Sequence, residues 1–312
     1  TGITMGTAMS GIATIAYTQE ALTGASHKKV GPRFIPKILG NIAAAHIAIT
    51  HNIQGPSLTV STACASGGDA VSAAADCLRL GRAEVMLAVG AESVLCPLVV
   101  YSLANAKALS RNNEDPSHAS RPFDAMRDGF VIGEGGGALV LETESHAVRR
   151  GATIYARLMG CGNGCDAYHI TAPQPEGVGA ARCMELALKD AGLKPEQIGY
   201  INAHGTATPK GDAAETLAIK RVFGEHIPLV SSTKGATGHM MGAGGITELI
   251  ACIQAIRTGL LPPTINLEHP DPNCDLDYIP LQSREKKVDY AMSNAFGFGG
   301  QNSSVIVGRW NS

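Results

Sequence analysis

Apolar positions change period several times along the chain. "GITMG" (2–6) and "SLTVSTA" (57–63) are apolar or β-branched runs that predict strands. From Ala65 the period lengthens: Ala70, Val71, Ala74, Cys77 and Leu78 fall on one helical face, and Gly81 can close that helix. "EVMLAVGAES" predicts a short strand leaving through Gly90, and "GEGGGALVLETE" another, Ala138 to Leu141. Beyond "HAVRRG" the pattern restarts. "TIYARLMGCGNGCDA" reads as a strand, "GVGAARCMELALKDAGL" as a helix closed by Gly192, and "IGYINAHGTAT" as a strand ending in a polar turn. "GDAAETLAIKRVFG" predicts a helix, "IPLVSSTKGATGH" a strand and loop, and "GAGGITELIACIQAIRTG" a buried helix. "PPTINLEHPDPNCDLDYIP" reads as a surface excursion, and "YAMSNAFGFGGQNSSVIVGRW" as two strands around a glycine loop. Strands alternating with helices imply an α/β fold with mainly parallel sheets covered on both faces. The restart, with no Gly/Ser/Pro linker, divides the chain into two similar halves, 1–150 and 151–312.

Composition narrows the function classes. Of 312 residues 45% are hydrophobic and 17% charged, which suits a large buried core. Net charge is −2 with no basic run, so nucleic acid is not an expected partner. No uncharged apolar run is long enough to cross a bilayer, and the chain opens on no secretory leader. A cytoplasmic setting is expected, or a mitochondrion or plastid in a eukaryote. Eight cysteines at irregular spacing, without a C-x-x-C pair, give neither a zinc site nor a disulfide framework. Seven of them read as small core residues.

Cys64 is different, because it stands where a strand gives way to a helix. A thiol in the first turn faces unpaired N–H groups and the positive end of the helix dipole, which lowers its pKa. The same N–H groups can hold an oxyanion. Gly67 and Gly68 weaken that helix, which implies close approach of another backbone. Position alone also allows a buried structural cysteine. "NAHGTATPKGD" places His204 after a strand with Thr206 and Thr208 in the turn, and "SSTKGATGHMMGAGG" places Lys234 and His239 around another strand-to-helix loop. "SNAFGFGGQNSS" carries Phe296 and Phe298 in a glycine loop. Singly, each has an ordinary structural explanation. Asp212 and Glu215, in "GDAAE", have the spacing of a capping box.

Together, "TACASGG", "RPFDAMRDGFVIGEGGGALVLE", "NAHGTATPKGDAAE", "SSTKGATGHMMGAGG" and "SNAFGFGGQN" resemble the β-ketoacyl-acyl carrier protein synthases of the elongating, type II class. The resemblance runs over essentially the whole chain. It implies a thiolase-like five-layer αβαβα fold with duplicated halves, a homodimer, acyl carrier protein as partner, and no metal or organic cofactor. It implies Cys64 as nucleophile, His204 and His239 as the paired histidines, and Lys234 as the lysine beside them. The N–H groups of Cys64 and Phe298 would form the oxyanion hole, with Phe298 also the gate. Thr206 and Thr208 would meet the phosphopantetheine arm, Phe296 and Met9 would line the substrate and acyl pocket, and Glu215, with Asp212, would belong to a charged network fixing Lys234. For Met9 simple core packing is an equal reading of its spacing.

The activity implied is the decarboxylating condensation of acyl-carrier and malonyl-carrier thioesters in fatty acid elongation. A polyketide ketosynthase, or an inactive truncated paralogue, shares the same motifs. A thiolase would need a second cysteine in "AFGFGGQN", and a chain-length-factor subunit would lack Cys64. The first quarter of a typical member is not in the sequence. That quarter is expected to hold a strand central to the first sheet, whose loss would open two strand edges.

Overall fold

Two mixed sheets organise the chain in a computed structural model that describes residues 1–24 and 30–311. The first half runs β1 (Gly2–Gly6), α1 (Ile12–Thr23), α2 (Phe34–Ile38), α3 (Ile42–His51), β2 (Ser57–Val60), α4 (Ser66–Arg79) and β3 (Val85–Glu92). It ends with α5 (Pro97–Asn105), β4 (Gly135–Glu142) and α6 (Glu144–Arg149). The second runs β5 (Arg157–Cys165), α7 (Val178–Ala191), β6 (Tyr200–Asn202), α8 (Pro209–Phe223), β7 (Leu229–Ser231), α9 (Lys234–Thr237) and α10 (Gly244–Thr258). A small pair, β8 (Leu260–Leu261) and β9 (Arg284–Glu285), precedes the closing hairpin of β10 (Tyr290–Phe296) and β11 (Gln301–Gly308).

The first sheet has the order β2-β1-β3-β4 and the second β5-β11-β10-β6-β7. The two share one plan. β1 pairs in parallel with β2 and β3, as β6 does with β7 and β10; β4 is antiparallel to β3, as β11 is to β10. β5 is the extra strand, antiparallel to β11. Helices α4 and α10 stand between the sheets, α3 covers the outer side of β1 and β2, and α7 with α8 covers the second sheet. The result is the thiolase-like αβαβα stack, with a central core in which Val71, Ala74 and Met86 meet Ile246, Leu249 and Val305.

Close approach of α4 and α10 explains one glycine. A Cβ on Gly67 would stand 2.9 Å from the carbonyl of Gly242 and 2.9 Å from the nitrogen of Ile246, so the helix starts meet backbone to backbone. Gly68 lies instead against the Ser303 side chain.

Several sequence expectations need correction. β3 continues through Gly90 to Glu92, and β4 begins at Gly135 because its glycines pair with residues 90–92. The Pro/Asp-rich segment is not a surface excursion: Cys274, Tyr278 and Ile279 are buried, and Tyr278 stacks on Phe123 at 3.8 Å between ring centroids. Its apolar residues fill the second core, which its polar composition conceals. Cys165 is exposed and Cys161 half-buried, so they are not core cysteines. No gap stands inside the first sheet, since β1 bonds to strands on both sides. The strand that opens the second half, β5, lies at a sheet edge, which removes the reason to place its counterpart centrally.

Candidate active site

Cys64 lies in a single 3-10 turn, Ala63–Ala65, ahead of α4 rather than within its first turn. Ala63 has φ +51°, a left-handed conformation that costs a residue with a side chain roughly 1–3 kcal/mol. Local bonds hold the strained turn: the N–H of Thr62 donates to Ser66 Oγ at 2.9 Å, and Ser66 Oγ donates to the Ala63 carbonyl at 2.6 Å.

His204 leaves the end of β6, and Glu215 fixes its main chain by accepting from the N–H of His204 at 2.9 Å and of Gly205 at 2.8 Å. His239 is held between segments: its N–H donates to Val131 at 2.7 Å, and its carbonyl accepts from Gly133 at 2.9 Å. Phe130 packs edge-on against the His239 ring, with centroids 5.3 Å apart. These placements bring His239 Nε2 to 3.0 Å from Cys64 Sγ. One ligand-type atom each from Cys64, His204 and His239 lies within 4.8 Å of the others. Phe298, in the turn between β10 and β11, lines the same site, and its N–H pulls the Cys64 thiol downward. A Cβ on Gly297 would stand 3.0 Å from the Cys64 nitrogen, so this loop packs directly on the Cys64 turn.

Burial governs the charges here. It pushes the Cys64 thiol up to about 11, against the opposing pull of Lys234 and the Phe298 N–H. This corrects the expectation of a lowered pKa: withdrawal from water outweighs the favourable backbone field. Burial likewise pushes both His204 and His239 well below the usual imidazole range, and Lys234 adds to this. The resting pair is therefore a thiol beside neutral imidazoles. The Nδ1 atoms of both histidines have no hydrogen-bond partner among the described residues, so no such bond locks either tautomer.

The triad lines a cavity of about 590 Å³ that also takes in Met9, Thr206, Thr208, Phe296 and Phe298. The Thr206 and Thr208 hydroxyls are 3.1 Å apart. Lys107 and Lys210 are exposed residues of the same wall.

Residues 1–147 match the beta-ketoacyl synthase N-terminal domain, and residues 155–268 match its C-terminal domain. The chain belongs to the β-ketoacyl synthase family. It is 48% identical to the 3-oxoacyl-[acyl-carrier-protein] synthase 2 of Synechocystis over 99% of this chain and 75% of that one. It is 46% identical to the mitochondrial 3-oxoacyl-[acyl-carrier-protein] synthase of Arabidopsis thaliana, over 98% and 68%. Among solved structures, a β-ketoacyl synthase of Burkholderia phymatum superposes with a TM-score of 0.92 at 38% identity, covering 99% of this chain and 75% of that chain. A type II polyketide ketosynthase in complex with its acyl-carrier protein gives 0.92 at 37%, over 99% and 77%.

Two further expectations about this synthase fail on geometry. Asp212 and Glu215 form no capping box, because α8 begins at Pro209 after Thr208. Asp212 instead accepts from the Phe123 N–H at 2.8 Å and faces Arg127 Nε at 3.3 Å. Lys234 is paired with Glu248 of α10, not held by Glu215, and both partners of that ion pair are buried. Lys234 stands behind the cavity and acts on the histidines by its charge. Sequence reading missed Glu248, although a lone carboxylate in the apolar run "ITELIAC" is a signal for a buried partner. It also missed Glu92, which accepts from the N–H groups of Ala8 at 2.6 Å, Met9 at 3.2 Å and Gly242 at 3.1 Å, and so ties Met9 to the end of β3.

Proposed function

We propose that the chain condenses an acyl-carrier thioester with a malonyl-carrier thioester, releasing carbon dioxide and giving the 3-oxoacyl-carrier product of fatty acid elongation. The observation that carries this is the meeting of the Cys64 thiol, the two neutral histidines and the Phe298 N–H in one cavity.

Cys64 Sγ attacks the acyl carbonyl while His239 Nε2, 3.0 Å away, takes the thiol proton. The oxyanion rests on the N–H groups of Cys64 and Phe298. Collapse expels the carrier thiolate, which receives the proton from His239, and leaves acyl-Cys64. A malonyl thioester then loses carbon dioxide. The electron pair of the broken bond forms an enolate, whose oxygen accepts from Nε2–H of His204 and of His239, the latter after its remaining proton has passed through water from Nδ1, which no partner among the described residues holds, to Nε2. The enolate carbon attacks acyl-Cys64, the same N–H pair holds the second oxyanion, and Cys64 leaves to be reprotonated from water. No step calls for a metal or an organic cofactor. Thr206 and Thr208 fit the amides of a phosphopantetheine arm, and Lys107 and Lys210 fit its phosphate.

We further assign acyl carrier protein as partner and a homodimer as the working form. The curated relatives at 48% and 46% identity are 3-oxoacyl-[acyl-carrier-protein] synthases, which favours fatty acid elongation. No helix of the described residues is long and apolar enough to cross a membrane.

Mass spectrometry after incubation with an acyl-carrier thioester tests the assignment, with acylation expected on Cys64 alone among the eight cysteines. His204→Ala should slow malonyl decarboxylation roughly 100-fold or more while acyl transfer falls far less. His239→Ala should slow both. Acylation of another cysteine, or equal loss of both half-reactions in His204→Ala, contradicts the scheme.

A further inference from the structure

Asp69 is the acidic residue in the first turn of α4, five positions beyond Cys64. Its carboxylate does not merely face the helix start. Oδ2 accepts from Thr62 Oγ1 at 2.6 Å, and Oδ1 accepts from the side-chain amide of Asn163 in β5. Asn163 and Ser303 are direct partners across the β5–β11 pairing, and Asn163 Nδ2 lies 3.5 Å from Ser303 Oγ. Two donors from separate segments therefore converge on one half-buried acceptor, and the second of them, Asn163, also abuts Ser303 of β11.

The segments matter because of what each carries. Thr62 immediately precedes the strained Ala63, two residues before Cys64. Ser303 is the third residue of β11, which begins directly after the Phe298–Gly300 turn. The Gly297 N–H closes that turn onto the Gln301 carbonyl at 2.6 Å, so the position of β11 fixes the root of the loop. Hydrogen bonds to a charged acceptor are roughly twice as strong as neutral ones. A single carboxylate on the rigid middle-layer helix thus anchors the turn bearing one oxyanion donor and, through Asn163, the strand leading from the other.

We propose that Asp69 is a positioning residue that sets the spacing between the N–H groups of Cys64 and Phe298. The proposal rests on the oxyanion role given to those two groups above. Asp69 touches no reacting atom; it acts through Thr62 on one side and through Asn163 and Ser303 on the other. Acyl transfer and carbon–carbon bond formation, which both build an oxyanion at this pair, depend on it. Malonyl decarboxylation by the unacylated enzyme, whose enolate rests on His204 and His239, does not depend on it to the same degree.

The test measures two rates on the whole chain: single-turnover acyl transfer to Cys64, followed by quench and mass spectrometry, and carbon dioxide release from a malonyl thioester. Loss of one oxyanion donor costs about 100- to 1,000-fold, so displacing one in Asp69→Ala should slow acyl transfer roughly tenfold more than decarboxylation. Thr62→Val should shift the same ratio in the same direction, and the double variant should be no worse than Asp69→Ala, because Asp69→Ala already removes the bond to Thr62. Asp69→Asn, which keeps an acceptor oxygen and the shape, should recover part of the ratio. Parallel loss of both rates, no loss, or additive effects of the two substitutions overturns the proposal. A wild-type chain that is not acylated at Cys64 overturns the oxyanion reading beneath it, which separates the two failures.

Discussion

Cys64 keeps its proton because the atoms packed around its sulfur strip it of solvation, and Lys234 offsets only part of that burial. Replacing Lys234 with Met should therefore raise the thiol further. Alkylation of Cys64 by iodoacetamide, followed against pH, should show an inflection above the ordinary thiol value of about 8.5 and a higher one in Lys234→Met. An inflection near neutrality would mean that the backbone field outweighs burial after all. Glu215 is a second case where burial decides: it lifts the carboxyl from 4.5 to about 7 despite two backbone donors. The folded state then binds more protons than the unfolded chain between those values. Its contribution to stability is complete below pH 4.5 and is lost as pH rises through about 7. Chemical denaturation at pH 5 and pH 8 should show this decline, and Glu215→Gln, which cannot titrate, should flatten it. A variant whose decline matches the wild type would assign the pH dependence elsewhere.

At the scale of elements, the active-site turn stays in place because two helices start against each other. Gly67 admits the backbone of Gly242 and Ile246 at a distance no Cβ tolerates. Gly67→Ala should cost about 1–3 kcal/mol, the usual range for overpacking, and should slow acyl transfer, since the same shift moves the Cys64 turn. Thermal denaturation alongside the single-turnover rate measures both; an unchanged melting temperature would show that the helices can part freely. Gly67 was legible as a close approach in the sequence, because glycine in a helix otherwise has no advantage. The identity of its neighbour was not, since Gly242 lies far along the chain.

For the whole molecule, the chain divides into halves by pattern but not by core. The central cluster takes Val71, Ala74 and Met86 from the first half and Tyr200, Ile246 and Val305 from the second. We propose that 1–150 and 151–312 are halves of one folding unit. Calorimetry should show a single cooperative transition, and the halves expressed apart should lack dispersed amide spectra. Two separate transitions would show that each half holds a sufficient core of its own. By contrast, the exposed pair Arg79–Asp190, 2.8 Å apart, links α4 to α7 in solvent, where such bridges contribute little.

The sequence by itself determined what depends on neighbours within a turn or two. Period specified most strands and helices, glycines marked the tight turns, and ordered motifs marked Cys64, His204 and His239. Tertiary structure decided what depends on distant residues. His239 meets Cys64 across 175 positions, and Asn163 reaches Asp69 across 94. Which carboxylate pairs with Lys234, where β5 sits, and whether a polar-looking segment is buried were settled the same way. The sign of the Cys64 shift belongs with these. A local backbone field can be read from a strand-to-helix junction, but desolvation sums every atom packed around the sulfur, and only the assembled fold brings those atoms together.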